Sequence, residues 1–180
     1  MLTTDASITA TITAVTLAES VLHHGLGVLG GTASTHAERH RIRGRFTSTT
    51  QLTFDRFETG PSNTIDFEVT DFNEGTVQSS TFTHANADAQ DDLTITAVTL
   101  ARAIAASSLA VHGGMMDAGI DNDRGGIACW MHSLTGTTTL QIQRGDTGTA
   151  ASGAYFVTEF PIAAAAAAAA PQRTLMGVGT

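Results

Sequence analysis

Apolar and polar residues alternate with a period of two along much of the chain. Leu52, Phe54 and Arg56 alternate with Thr53 and Asp55, and Leu140, Ile142 and Arg144 repeat that pattern. Ile65, Phe67 and Val69 alternate with Asp66, Glu68 and Thr70. A period of two sends successive side chains to opposite faces, so these segments predict half-buried β-strands. Turn-forming residues separate them, Glu58-Thr-Gly-Pro-Ser-Asn63 and Arg144-Gly-Asp-Thr-Gly148. Hairpins are expected across both turns. The apolar positions predict a core of Leu52, Phe54, Phe67, Val69, Phe72, Trp130, Leu140, Ile142, Tyr155, Val157 and Phe160.

The pattern occurs twice. Thr11-Ile-Thr-Ala-Val-Thr-Leu-Ala18 recurs unchanged as Thr94-Ile-Thr-Ala-Val-Thr-Leu-Ala101, 83 positions on. Thr49-Thr-Gln-Leu-Thr-Phe-Asp-Arg56 matches Thr137-Thr-Thr-Leu-Gln-Ile-Gln-Arg144, and Phe67-Glu-Val-Thr-Asp-Phe72 matches Tyr155-Phe-Val-Thr-Glu-Phe160, both 88 positions apart. Internal repetition of this kind predicts an all-β chain of two tandem, similar modules, each a β-sandwich or small barrel. The expected divisions are 1–78, 79–162 and a C-terminal arm, 163–180. The change of spacing means that the second copy gains five residues between 101 and 137. The Gly- and Asp-rich stretch 113–126 is the expected place, because insertions sit in surface loops. Residues 77–83 read as the opening strand of the second copy, with 1–12 playing that part in the first.

The arm begins with eight alanines, 163–170, followed by Pro171 and a Gly-containing end. Alanine favours helix, but an isolated helix this short is marginal in water. The arm is read as extended or briefly helical, either free or ordered on a neighbouring subunit.

Composition narrows the function classes. The net charge is −8, and all nine basic residues are arginine. An acidic surface argues against sequence-independent nucleic-acid binding, which requires phosphate neutralisation. Cys129 is the only cysteine, so no internal disulfide is possible. Beside Trp130 it reads as a buried residue rather than a nucleophile. No apolar run has the length of a membrane span, and the first ten residues lack the basic and apolar regions of a signal peptide.

Arg39, Arg41, Arg43 and Arg45 are spaced by two, with His40, Ile42, Gly44 and Phe46 between them. On a strand the four arginines share one face. Such a stripe meets acidic groups at a subunit contact, lies on a solvated face, or binds a polyanion; the acidic net charge disfavours the last. Guanidinium suits bidentate carboxylate pairing. The second copy carries Ala128, Cys129, Met131 and Ser133 in this region.

Asp117, Asp121, Asn122 and Asp123, followed by Gly125, resemble part of a calcium loop. The position that should supply the bidentate acid, counted from Asp121, is His132, so a polar turn is expected instead. The seven histidines (His23, His24, His36, His40, His84, His112 and His132) contain no zinc-hydrolase pattern, and no metal site is expected. Arg144-Gly-Asp146 reads as a turn. Neither a nucleophile elbow nor a phosphate loop occurs. No catalytic residue and no cofactor are assigned.

The repeated segments resemble a module of tailed-bacteriophage virion proteins. That module carries a Leu-Thr-Ser-Ala-Thr-Thr-Leu-Thr-x-x-Arg stretch, an aromatic-x-Val-Val-Glu-Phe stretch, and an acidic or Gly turn ending in Val-Gln. The corresponding residues are Phe46-Thr-Ser-Thr-Thr-Gln-Leu-Thr-Phe-Asp-Arg56, Phe67-Glu-Val-Thr-Asp-Phe72 and Asn73-Glu-Gly-Thr-Val-Gln78. In the second copy they are Leu134-Thr-Gly-Thr-Thr-Thr-Leu-Gln-Ile-Gln-Arg144 and Tyr155-Phe-Val-Thr-Glu-Phe160. Phe67 and Tyr155 replace the usual Trp, and no Val-Gln follows the second copy. The resemblance implies a structural virion component without enzymatic activity, made in the host cytoplasm and assembled in many copies on the particle surface. A capsid cement or decoration protein is the expected form, a homo-oligomer with the major capsid protein and its own copies as partners, and with neither nucleic acid nor membrane. The alternative is a tail, collar or fibre component that binds the host surface.

Overall fold

The computed structural model describes residues 6–29, 42–56, 62–103, 115–117, 130–148 and 150–161. They form eleven strands: β1 (Ser7–Thr11), β2 (Ser20–Leu29), β3 (Arg43–Ser48), β4 (Gln51–Asp55), β5 (Asn63–Asp71), β6 (Thr76–His84), β7 (Gln90–Thr94), β8 (Met115–Asp117), β9 (Trp130–Gly136), β10 (Thr139–Arg144) and β11 (Ala151–Glu159). The fold is all-β, with no helix among the described residues. The strands pair antiparallel in four sheets, ordered β1-β4-β3, β7-β10-β9, β6-β11-β8 and β2-β5.

The first two sheets correspond strand for strand. β4 and β10 lie at their centres and bury Leu52, Phe54, Leu140 and Ile142 completely or nearly so. The tight turns are Thr49-Thr50 and Thr137-Thr138, joining β3 to β4 and β9 to β10. The octapeptide that is identical in both copies runs past each turn. Ile12 and Val15 donate their N–H groups to the carbonyls of Thr50 and Thr49, at 2.9 and 3.0 Å. Ile95 and Val98 donate to Thr138 and Thr137, at 3.0 and 2.8 Å.

The hairpins expected across 58–63 and 144–148 do not form. β4 is already paired on both edges, by β1 and β3, and β10 by β7 and β9. No edge is left for the following strand, so the chain crosses to another sheet. Turn residues mark where the chain reverses; edge availability decides the partner.

β5 and β11 are counterparts. β2 pairs along β5 from Ser20↔Asp71 to Leu29↔Asn63. In the second copy the same places are taken by Ala103, bridged to Glu159, and by β8, paired at Asp117↔Ala151. Ser20 and Ala103 keep the shorter spacing, Leu29 and Asp117 the longer one. The five-residue gain therefore lies between 103 and 117, ahead of most of the 113–126 stretch expected to hold it.

β6 pairs with the other edge of β11, from Thr76↔Glu159 to His84↔Ala151. It spans position 78 and follows β5 in the chain, yet it completes the other copy's sheet. Of residues 1–12, the expected counterpart, the described ones contain β1, which takes the place of β7.

The two cores share β11. One cluster contains Val21, Leu22, Ile42, Leu52 and Phe54, together with Val77 and Phe156. The other contains Phe82, Ile95, Val98, Ala103, Leu140, Ile142, Tyr155 and Val157. Thus Tyr155 and Val157 point into one core and Phe156 into the other. Both faces of β11 are covered, so its residues are buried in a nearly unbroken run. Gly44 permits close packing of β2 on β3, since a Cβ there would lie 2.7 Å from His24 Cδ2.

Of the residues expected in the core, Leu52, Phe54, Leu140, Ile142, Tyr155 and Val157 are buried. Val69, Phe72, Trp130 and Phe160 are half-buried. Phe67 is a correction: it is 42% exposed, whereas its counterpart Tyr155 is 8% exposed. Its ring rests on Phe54, with centroids 5.5 Å apart. Among the described residues β5 has a strand on one edge and β11 on both, so Phe67 is covered from one side.

Candidate functional site

The arginine stripe is half visible. Arg39 and Arg41 lie outside the described residues. Arg43 stands opposite Asp55 in register and donates to Asp55 Oδ2 at 3.0 Å. Arg45 pairs with the same carboxylate. Ser7 Oγ donates to Asp55 Oδ1 at 2.7 Å, and Arg43 also donates to Ser152 Oγ of β11 at 3.2 Å. Burial lowers the pKa of both guanidinium groups, and the charge of Arg43 adds to the effect at Arg45. The acidic group these two arginines meet belongs to their own chain, and Arg43 ties the first copy to the second.

Arg144 is buried and serves the fold. Its Nε donates to the Asp88 carbonyl at 2.6 Å, and one terminal nitrogen donates to the carbonyls of Ala85 and Asn86, at 2.6 and 3.2 Å. The Arg-Gly-Asp tripeptide therefore turns its guanidinium inward. Arg56, its counterpart, is 1% exposed. Alternation had placed both arginines on the inward face without revealing that Arg144 acts as a buried donor. Recurrence of an arginine at the same inward position was the available signal.

A polar corner is peculiar to the second copy. His84 is fully buried. Its ring centroid lies 4.5 Å from that of Trp130, and Nδ1 lies 3.0 Å from Asp91 Oδ2. In the first copy Ile8 and Ile42 occupy the positions of Asp91 and Trp130. Burial lowers the His84 pKa; Asp91 opposes the shift and Arg144 adds to it. The unfolded chain therefore takes up this proton first as the pH falls. Stability from this site is complete above about pH 6.5, the ordinary histidine value, and declines as the pH drops toward the folded pKa. The decline is at most about 1.4 kcal/mol per pH unit for one proton. Urea denaturation at pH 7.5 and 5.5 should show it, and His84→Gln should reduce the difference. An equal pH dependence in the variant would remove His84 as the cause.

Shallow clefts of about 360 Å³ each lie at two places among the described residues. One is lined by His23, His24, Gly25, Asp66, Phe67 and Glu68, the other by Trp130, Met131, Gln143, Arg144 and Gly145. Among the described residues no group of three His, Cys, Asp or Glu side chains is placed to hold a metal ion. Asp117 contributes its backbone to β8, and His132 lies on β9 opposite Ile142. Asp121, Asn122, Asp123, Cys129, His36, His40 and His112 lie outside the described residues, as does the arm 163–180. No helix among the described residues is long and apolar enough to cross a membrane.

The duplicated octapeptide offers a surface. Its inward residues Ile12, Val15, Ile95 and Val98 are accounted for by packing on the hairpin turns. Its remaining residues face solvent: Thr11, Thr13, Ala14, Thr16, Leu17 and Ala18 in one copy, Thr94, Thr96, Ala97, Thr99, Leu100 and Ala101 in the other. Leu17 and Leu100 are 37% and 44% exposed. Packing does not require identity at these positions. On the adjoining strands exposed counterparts differ freely, as Ser7 and Gln90 or Thr9 and Asp92 do. One surface segment is thus kept and displayed twice.

Its surroundings differ between copies. Gln78 clamps Thr96, accepting from its N–H at 2.7 Å and donating to its carbonyl at 2.9 Å. Glu159 accepts from the Thr99 N–H at 3.2 Å and from Arg102 at 2.7 Å. The first copy has Asp71 and Glu19 in place of Glu159 and Arg102.

No family model, curated protein or solved structure matches the chain.

Proposed function

We propose that this chain is a structural protein of a bacteriophage virion, a capsid cement or decoration protein that binds the head by repeated subunit contacts. The observation that carries the reading is the identical exposed segment displayed once by each copy. Packing leaves Leu17 and Leu100 uncovered, and a contact made twice explains why the exposed residues around them match. A capsid lattice presents one protein surface many times, so a protein with two like contact patches can engage two sites at once. Linking two weak contacts raises apparent affinity by about 10²–10⁴ without any new contact. The motif resemblance supports the same assignment, and the buried polar groups Arg144, Asp55 and His84 are all engaged in holding the fold.

The test is uptake by purified heads lacking the protein. Leu17→Ser and Leu100→Ser should each weaken co-sedimentation with heads by roughly tenfold or more, because either removes one of two linked contacts. The double variant should lose binding. Its denaturation midpoint should barely move, since exposed substitutions usually fall within about 0.5 kcal/mol. Normal uptake of the double variant would remove the octapeptide as the contact. Immunogold label confined to the tail would replace the head assignment with the tail, collar or fibre reading.

A further inference from the structure

The two display segments end side by side. Ala18 and Ala101 close the octapeptide in each copy. The next residues, Glu19 and Arg102, offer their carbonyls to the N–H groups of Phe72 and Phe160, at 2.8 and 3.1 Å. The rings of Phe72 and Phe160 meet edge to face, with centroids 5.6 Å apart. The exits of both segments are therefore fastened to one pair of touching residues.

The start of β6 ties the segments to each other. Val77 donates its N–H to the Ala18 carbonyl at 2.6 Å, which anchors the first segment. Its neighbour Gln78 anchors the second, with one bond to the Thr96 N–H and one to the Thr96 carbonyl. Two bonds to one residue fix its orientation as well as its place. Thr76, on the other side of Val77, lies opposite Glu159, which accepts from the Thr99 N–H. Leu17 and Leu100 thus each stand one residue from an anchor, at Ala18 and Thr99, and the anchors are neighbours on the β6–β11 pair. Successive side chains of a strand point to opposite faces. Val77 accordingly packs into the first core, and Gln78 is left on the other face to reach Thr96. The dipeptide Val77-Gln78 occurs once in the chain. The displayed segment is duplicated, and the strap that joins its copies is single.

We propose that Gln78 is a positioning residue that sets the two exposed leucines into one two-part contact surface of fixed geometry. The inference rests on the reading that the octapeptides are what binds the head. The partner such a surface fits is a pair of adjoining like subunits, each presenting the same element, at the spacing the strap allows. Two linked contacts gain about 10²–10⁴ in apparent affinity only when the linkage holds both within reach. A linkage already rigid in the bound arrangement also loses less freedom on binding. Gln78 acts through Thr96 and the segment that continues from it to Leu100.

Heads lacking the protein are the probe, with Gln78→Met tested in three backgrounds: wild type, Leu17→Ser and Leu100→Ser. Methionine keeps the length of the side chain and removes both bonds to Thr96. In the wild-type background it should weaken co-sedimentation by roughly tenfold, a part of the linkage gain. In either leucine background it should change nothing, because a single contact has no second one to be aligned with. Spin labels at Leu17→Cys and Leu100→Cys, in a Cys129→Ser background, should give one narrow distance that broadens in Gln78→Met. An effect of equal size in all three backgrounds would mark a general loss of structure and overturn the proposal. An effect that survives Leu17→Ser but not Leu100→Ser would confine Gln78 to shaping the second segment alone, and would overturn it too. So would unchanged uptake of Gln78→Met while the single leucine variants are impaired. Self-association of the free protein that Leu17→Ser abolishes would give the surface to a second copy, against the proposal. Normal uptake of the double leucine variant would instead remove the octapeptide reading, and this inference with it.

Discussion

Replacing Phe156 by alanine should destabilise both copies at once, by about 3–5 kcal/mol, the cost of removing a buried phenylalanine. The residue belongs to β11 of the second copy, but its side chain is 1% exposed within the first copy's core, with Leu52, Phe54 and Leu22. Its ring meets Phe46 of β3 edge-on at 5.9 Å. Tyr155 and Val157 on the same strand pack into the second core. A cavity beside Phe46 therefore loosens the strand that the second core also needs. Trp130, the single tryptophan, packs against the second core and reports on it, while far-UV circular dichroism reports on all strands. The two signals should move together to a lower urea midpoint in Phe156→Ala. If the Trp130 transition kept its wild-type midpoint while the dichroism became biphasic, the copies would be independent folding units and the shared strand would carry no coupling.

Such coupling was not legible in the repeat. Periodicity identified β4, β5 and β10 because each has one face in a local core, and the alternation of Leu52 and Phe54 or Leu140 and Ile142 records that face directly; β11, buried on both faces, was found by its match to residues 67–72. It did not identify partners. The pairing of β6 with β11 depends on an edge created by the second copy, and nothing within residues 76–84 encodes that distance along the chain. Phe67 was misplaced for the same reason: its alternation is that of an inward residue, and among the described residues one edge of its strand has no neighbour. The polar residues divided similarly. Alternation put Arg43 and Arg45 on one face, but their convergence on Asp55 required the β3–β4 register. The surface displayed twice was visible as an identical octapeptide, yet only the burial of Ile95 and Val98 beside the exposure of Leu100 separates residues kept for packing from residues kept for another reason.

Arg144→Met should cost about 3 kcal/mol or more and should act on the loop that follows β6. Arg144 is 6% exposed, and its guanidinium donates to three backbone carbonyls, those of Ala85, Asn86 and Asp88. Methionine preserves much of the apolar stem but leaves these acceptors without their partner. Each buried group so abandoned costs about 1–3 kcal/mol. The loop is otherwise tied by the Arg144 N–H to the Ala89 carbonyl at 2.9 Å and the Gly148 N–H to the Asn86 carbonyl at 2.7 Å. Hydrogen exchange at 85–89 should therefore quicken more than exchange at the core of β10. Arg144→Lys keeps the charge but loses the planar fork that reaches several carbonyls, so it should recover part of the stability and not all. A stability loss below about 1 kcal/mol in Arg144→Met would mean that water replaces the side chain readily. A variant with unchanged stability but impaired attachment to a cell surface would instead restore the Arg-Gly-Asp tripeptide as a ligand. The inward guanidinium argues for the first result, because a side chain committed to three carbonyls of its own chain has little left to present to a receptor.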